Sequence, residues 1–505
     1  MSVPTPSVEY AQLSPMLIVF AAGLTGVLLE ALLPRHARLR AQLTVSCGAL
    51  LTALLAVALL AGRHGSTVMG SVMVDGPTLY LQGAILVTGL AALAPLSQRS
   101  LVAFTPQASS IPGSTDERAA ERAGAAQTEV FPLLLLAIGA MMLLPAASDL
   151  LTMFVALEVL SLPLYVLCGL ARGRRLLSQE AALKYFLLGA FSSAIFLYGI
   201  ALVYGFSGTL ALSGIADAVD GAGRPSTMAL VGVGLLLAGL LFKIGAVPFH
   251  WWVPDVYQGA PTPITGFMAA ATKIAAIGAM LRIVYVALPG LVSQWRPILW
   301  TVAAVTMTVA AVLTVTQTDV KRLLGYSAVA NVGFLLLGVS ATATGLPAVL
   351  FYLVAYGIST IGAFAVVTMI RSAGDEEEPD TARWTGLGRR APVPAAALAL
   401  FLLALAGIPL TSGFIGKFAI FQSAAADGAT TLVIVGVLTS AVAVFAYTRV
   451  IMTLFFTEPV EHTPQVRTAR STMAVVAAAA SATVLLGIMP QPLLDLAGHA
   501  GQFLR

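Results

Sequence analysis

Charged side chains are scarce in this chain of 505 residues. They make up 10%, where a soluble globular protein carries roughly 25%, while hydrophobic residues reach 58% and the mean hydropathy is +0.92. Alternating barrel strands are missing too. The apolar runs are instead about 20 residues long, the length of a bilayer-spanning helix, so the chain reads as an all-α polytopic membrane protein. Cysteine is limited to Cys47 and Cys168, far apart and inside apolar runs, which suggests packing rather than a disulfide framework, an iron–sulfur cluster or a zinc site. No nucleotide-binding glycine motif, HExxH or cysteine cluster occurs, so no cofactor or metal is bound through a recognisable local signature. The first basic residue is Arg35, so residues 14–33 read as a retained first helix and not as a signal peptide.

What is present is a succession of about 14 candidate transmembrane helices. They cover roughly 14–33, 41–61, 77–97, 129–147, 149–170, 181–205, 228–249, 261–286, 298–316, 323–341, 345–370, 392–423, 429–456 and 472–490. Seventeen Lys and Arg fall in the odd-numbered loops, against Arg63, Arg224, Arg296 and Arg505 on the other side. The positive-inside rule then places both termini outside, and one miscounted span would have scrambled the asymmetry. The net charge of +4 follows from this topology and gives no reason to expect nucleic acid. The acidic run Asp375–Glu378 reads most simply as a solvated loop, with subunit contact as the other reading.

Four lysines, Lys184, Lys243, Lys273 and Lys417, lie inside spans, together with one carboxylate, Glu158. Each costs on the order of 2.5–3.5 kcal/mol at a helix centre, so by default each marks an ion or proton pathway. A buried lysine also suits proton exchange, because desolvation disfavours its charged form, whereas arginine stays protonated. Glu158 on span 5 and Lys184 on span 6 are the expected pair, either static or switchable. Lys273 reads as a relay residue or a snorkelling cation, and Arg282 as interfacial. Tyr447 and Arg449 either close the relay towards water or pack. His250, beside Trp251 and Trp252, either picks up protons or belongs to an aromatic belt.

Two of these spans are interrupted, the seventh at Pro248 after Lys243 and the twelfth at Pro409 before Lys417. Broken helices at matching places in two halves predict two inverted five-helix repeats, spans 4–8 and 9–13, because an odd number of spans inverts each copy. The expected division is 1–128, three helices and a loop; 129–286 and 287–456, the two repeats; and 457–505, a last helix and tail.

At Leu157–Tyr165, Glu180–Phe186, Phe242–Trp251 and Thr318–Ser327 the chain resembles the antiporter-like subunits of proton-pumping NADH:quinone oxidoreductase (complex I). Within that family Pro254-Asp-Val-Tyr-Gln-Gly-Ala-Pro-Thr-Pro263 and Lys417 are typical of the subunit N branch rather than L or M. The resemblance implies Glu158 and Lys184 as a charge-coupled pair, Lys243 as central proton carrier, Lys273 as connector and Lys417 as exit-side carrier. Many relatives carry a histidine in span 10. Here Asn331 stands in that stretch and cannot titrate, so water or another side chain must link Lys273 to Lys417. The resemblance also implies a bacterial plasma membrane, neighbouring subunits M and K, and NADH, FMN, iron–sulfur clusters and quinone bound by partner subunits. Two rival readings are a subunit of a multi-subunit sodium/proton antiporter and a structural subunit that no longer pumps.

Overall fold

The computed structural model describes residues 8–98, 104, 114–122, 127–171, 175–223, 226–342, 344–372, 376–459 and 464–504. Arg99, Arg172, Arg174, Arg224 and Arg505 of the charge pattern, and Asp375 of the acidic run, lie outside them.

Fourteen spans follow one another. They are α1 (Tyr10–Leu32), α2 (Arg35–Leu59), α3 (Gly76–Leu96), α4 (Val130–Leu143), α5 (Leu150–Cys168), α6 (Arg175–Ser207), a broken α7 made of α7a (Thr227–Ile244) and α7b (Trp252–Gly259), and α8 (Thr262–Arg282). Then come α9 (Val292–Val315), α10 (Val320–Ser340), α11 (Gly345–Met369), a broken α12 made of α12a (Pro392–Ala406) and α12b (Ser412–Ala426), α13 (Thr430–Phe455) and α14 (Arg470–Ile488). Twelve of these helices are long and apolar enough to cross a bilayer; α4, extended through Ala146, and α12a are the two shorter apolar ones. Several starts are fixed by side chains that accept from first-turn amides, which have no intrahelical partner. Asp75 receives Thr78, Asp149 receives Thr152, and Asp319 receives both Lys321 and Arg322.

The two halves pair alike. In the first, α4 packs on α5, α5 on α6, the broken α7 on α6, and α4 against α8; in the second, α9 packs on α10, α10 on α11, the broken α12 on α11, and α9 against α13. This is the repeat read from the two interruptions. The helices α8 and α10 are enclosed on all sides and form the centre of the molecule, whereas α1, α2, α13 and α14 turn much of their apolar surface outward. A span completely wrapped by others can carry polar groups that lipid would not tolerate.

The breaks themselves differ from the expectation in one respect. Glycine, not proline, ends each first half. Gly245 (φ 78°) and Gly407 (φ 83°) take the left-handed conformation that closes a helix, and each amide bonds back to two carbonyls of the last turn. Pro248 and Pro409 follow inside the breaks and keep the chain from resuming the helix. The exposed backbone is then satisfied from outside. Trp252 Nε1 donates to the Phe242 carbonyl at 3.0 Å, and the Val247 amide donates to Thr306 Oγ1 at 3.0 Å.

Three charged groups also lie elsewhere than expected. Arg282, at the end of α8, does not face the surroundings. It is completely buried and donates to both oxygens of a completely buried Asp75, at 2.9 and 2.8 Å, and to Thr78 Oγ1 and the Pro145 carbonyl. The acidic run is only partly solvated, since Glu377 pairs with Lys321 at 3.2 Å and Glu378 with Arg383 at 3.1 Å. Lys321 itself is buried and donates to the Ala260 carbonyl. Both cysteines are free thiols, Cys168 buried beside Met268.

Candidate proton-carrier site

Lys243 stands in the last turn of α7a, where the helix stops short inside the bundle. Its Nζ donates to Ser161 Oγ of α5 at 2.7 Å and to Tyr185 OH of α6 at 3.4 Å. It also lies 5.4 Å from the Tyr185 ring centre and 6.0 Å from that of Tyr165. Glu158 is one turn before Ser161 on the same helix. Its Oε1 is buried without a hydrogen-bond partner.

Lys184 does not meet Glu158. It is 41% exposed and pairs with Glu180 and with Asp255, both at 2.7 Å. The reason is geometric. The antiparallel helices α5 and α6 set Gly169 beside Ala182 and Tyr165 against Tyr185 and Phe186. Lys184 therefore faces the level of residues 166–167, and Glu158 lies about 12–13 Å further along, at 1.5 Å per residue. Long helical side chains also lean towards their own N-terminus, which carries these two in opposite directions. Asp255 was not legible as Lys184's partner, although it sits in the motif that carried the resemblance.

Lys273, at the middle of α8, is completely buried. Its Nζ donates to Tyr257 OH at 3.2 Å and lies 5.7 Å from both the Tyr257 and Trp252 ring centres. Burial on all sides removes the snorkelling alternative. Lys417, on α12b, reaches back across its break to the carbonyls that end α12a, Leu405 at 2.9 Å and Ala406 at 3.1 Å, and to Ser440 Oγ at 3.1 Å. The negative end of a helix dipole suits an ammonium group, and the Phe334 ring lies 4.4 Å beneath it.

Between Lys273 and Lys417 the structure sets hydroxyls and an amide. Tyr356 OH donates to the Ala269 carbonyl, one turn from Lys273, and its ring neighbours that of Tyr352. Tyr352 donates to Asn331 Oδ1, Asn331 Nδ2 donates to the Ser327 carbonyl at 2.9 Å, and Ser327 Oγ shares a 2.6 Å hydrogen bond with Tyr447 OH. A narrow crevice bounded by Asn331, Tyr447, Phe334 and Lys417 follows. Of the two links expected, water or another side chain, the side chains are in place up to that crevice. Ser327, Tyr352 and Tyr356 were missed, although the four-residue spacings 327/331 and 352/356 put each pair on one helix face.

His250 is buried in the α7 break between Trp251 and Tyr326. Arg449 is exposed and donates to the Gln317 carbonyl near the end of α9, apart from the line of lysines. Among the described residues no cluster of His, Cys, Asp and Glu could hold a metal ion.

The family model described as NADH:quinone oxidoreductase/Mrp antiporter, TM, matches residues 147–443. A chain of the Mrp complex from Dietzia sp. superposes with a TM-score of 0.83 over 98% of this chain and 97% of that one, at 22% identity, which is a likeness of fold alone. Fold and buried cations together define the class, an antiporter-like integral membrane subunit. Proteins named NADH-quinone oxidoreductase subunit N are 58% identical in Rhodococcus opacus, over 100% of this chain and 98% of the relative, and 57% in Mycobacterium tuberculosis, over 100% of both. A chain of respiratory complex I from Thermus thermophilus is 32% identical, with a TM-score of 0.79 over 97% of this chain and 100% of that one. The chain belongs to the NADH-quinone oxidoreductase subunit N family.

Proposed function

We propose that this chain translocates protons as a membrane-arm subunit of complex I, along Lys243, Lys273 and Lys417, driven by quinone reduction in other subunits. The observation that carries it is the state of these three lysines. All are at most 5% exposed, and their hydrogen bonds run to hydroxyls and carbonyls, with no carboxylate among the described residues in ion-pair contact. Three fixed ammonium groups so placed would be costly as mere structure. Groups that gain and lose a proton in turn are tolerable there.

In this reading Glu158 acts on Lys243, and the chain Tyr356, Tyr352, Asn331, Ser327 and Tyr447 orients transfer towards Lys417. Residues 129–286 and 287–456 are the two transport units, flanked by 1–128 and 457–505. NADH, FMN, iron–sulfur clusters and quinone belong to partner subunits, and the neighbours are subunits M and K. Both termini face outward from a bacterial plasma membrane, with the Lys184–Asp255–Arg322 end inside.

The test uses membrane vesicles containing the assembled complex. Lys243→Ala and Lys417→Ala should lower the protons taken up per NADH oxidised at normal complex content, and Lys243→Arg should impair transfer although it keeps the charge. Normal pumping in both alanine variants would leave a scaffold. Sodium-dependent uptake in its place would favour the antiporter reading.

A further inference from the structure

The short helix α7b is held at its two ends, and one end stands between two of the lysines. Trp252, its first residue, stacks on Tyr185 with ring centres 4.7 Å apart and planes 9° from parallel. Lys243 approaches the Tyr185 ring, at 5.4 Å from its centre, and Lys273 the Trp252 ring, at 5.7 Å. Each lysine has its own hydroxyl, Tyr185 OH for Lys243 and Tyr257 OH for Lys273, while the indole N–H is committed to the Phe242 carbonyl. Ring faces offer no hydrogen-bonded chain for a proton, so the stacked plate interrupts the route here.

The other end of α7b is tied down by charge. Asp255 Oδ2 receives Lys184 of α6 at 2.7 Å, and Oδ1 receives Arg322 of α10 at 2.6 Å. Gln258 extends the tie, accepting from Arg322 at 3.2 Å and donating to Asp319 at 2.8 Å. Gly259 lets the helix end lie against the Leu177 carbonyl and Ala181, where any Cβ would collide. Asp255, Lys184 and Arg322 are 32, 41 and 26% exposed, so these pairs are of the weak, screened kind that thermal motion opens.

Building on the proton-translocating reading above, we propose that Asp255 is a positioning residue for proton transfer. By clamping α7b to Lys184 and Arg322 it keeps the Tyr185–Trp252 plate shut between Lys243 and Lys273, and transfer between the two lysines follows release of the clamp. Lys184 then acts through α7b rather than through contact with Glu158.

The experiment uses inverted vesicles carrying the complete complex, with three readouts: complex content, protons taken up per NADH oxidised, and the rate at which the pH gradient collapses once NADH is exhausted. Asp255→Asn should assemble normally, pump fewer protons per NADH, and let the gradient collapse about fivefold faster, the population change expected for loss of one such tie. Asp255→Glu should restore both. Trp252→Ala should leak likewise, with no further effect when combined with Asp255→Asn, and Lys243→Ala in the Asp255→Asn background should seal the leak. If Asp255→Asn fails to assemble, Arg322→Gln replaces it, with the same leak expected. The clamp is refuted if Asp255→Asn or Arg322→Gln assembles with normal stoichiometry and normal collapse, or if Lys243→Ala leaves the leak open. Should Lys243→Ala alone pump normally, the proton-carrier reading falls and the clamp with it; should Lys243→Ala stop pumping while the clamp variants stay silent, only the clamp falls.

Discussion

Replacing Arg282 by methionine removes the only cation in ion-pair contact with Asp75 among the described residues, and the structure sets the size of the effect. Both side chains are 0% exposed. With Arg282 present, Asp75 receives two charge-assisted hydrogen bonds from it, two from Thr78, and one from the Leu504 amide at 3.1 Å. Without it, a carboxylate is left in a dry site with only neutral donors. Breaking a buried pair from one side costs about 3–5 kcal/mol, whereas exchanging both partners for apolar groups of similar size is close to neutral. Arg282→Met should therefore lose about 3–5 kcal/mol, and Asp75→Leu with Arg282→Met should recover most of it. The tail should feel the same change, since Phe503 lies 4.7 Å from the guanidinium carbon. The assay is retention of the assembled complex on native gels after graded heating of membranes, in wild type, both single variants and the double. Wild-type heat resistance in Arg282→Met, or a double variant as labile as the sum of the singles, would refute the reasoning.

Other expectations follow from the same kind of arithmetic. Burial raises the Glu377 carboxyl, but Lys321, Arg371 and the Thr262 amide outweigh it and hold the group below its ordinary 4.5. Its stabilising contribution is thus present above about pH 4.5 and lost as pH falls through the depressed value. Thermal inactivation of wild type and Glu377→Gln should differ at neutral pH and converge in acid; a constant difference down to pH 3 would contradict this. Gly407→Ala places a Cβ in left-handed backbone, at roughly 1–2 kcal/mol, and 2.9 Å from Lys417 Cδ, so proton uptake should fall more than complex content does. Asn331→Leu severs the Tyr352–Asn331–Ser327 link and should slow pumping, while Asn331→His should retain it; equal rates in both would remove that link from the route.

The candidate lysines were legible because an ammonium group inside an apolar run has so few structural uses, and Lys243, Lys273 and Lys417 are all buried. The interruptions were legible through Pro248 and Pro409, although the helices stop earlier, at Gly245 and Gly407, whose positive φ depends on the glycine itself. Pairings were harder to read. Asp75 and Arg282 are 207 residues apart, and only the fold brings them together. Lys184 was assigned to Glu158 because their helices are neighbours, but adjacency says nothing of the direction in which two antiparallel helices lean their side chains. The motif from Pro254 to Pro263 became interpretable residue by residue only in the structure: Asp255 ties, Tyr257 holds Lys273, Gln258 bridges to Asp319, and Gly259 allows contact.

The two broken helices use their lysines differently. Lys243 belongs to the half of its helix that precedes the break, and its partners are on α5 and α6. Lys417 belongs to the half that follows, and it grips the carbonyls of the half before. Mechanically, α12 is a lever whose two arms are fastened by one lysine side chain. Swinging α12b against α12a by a few degrees would strip Lys417 of its carbonyls, while a similar swing in α7 would leave Lys243 where it is.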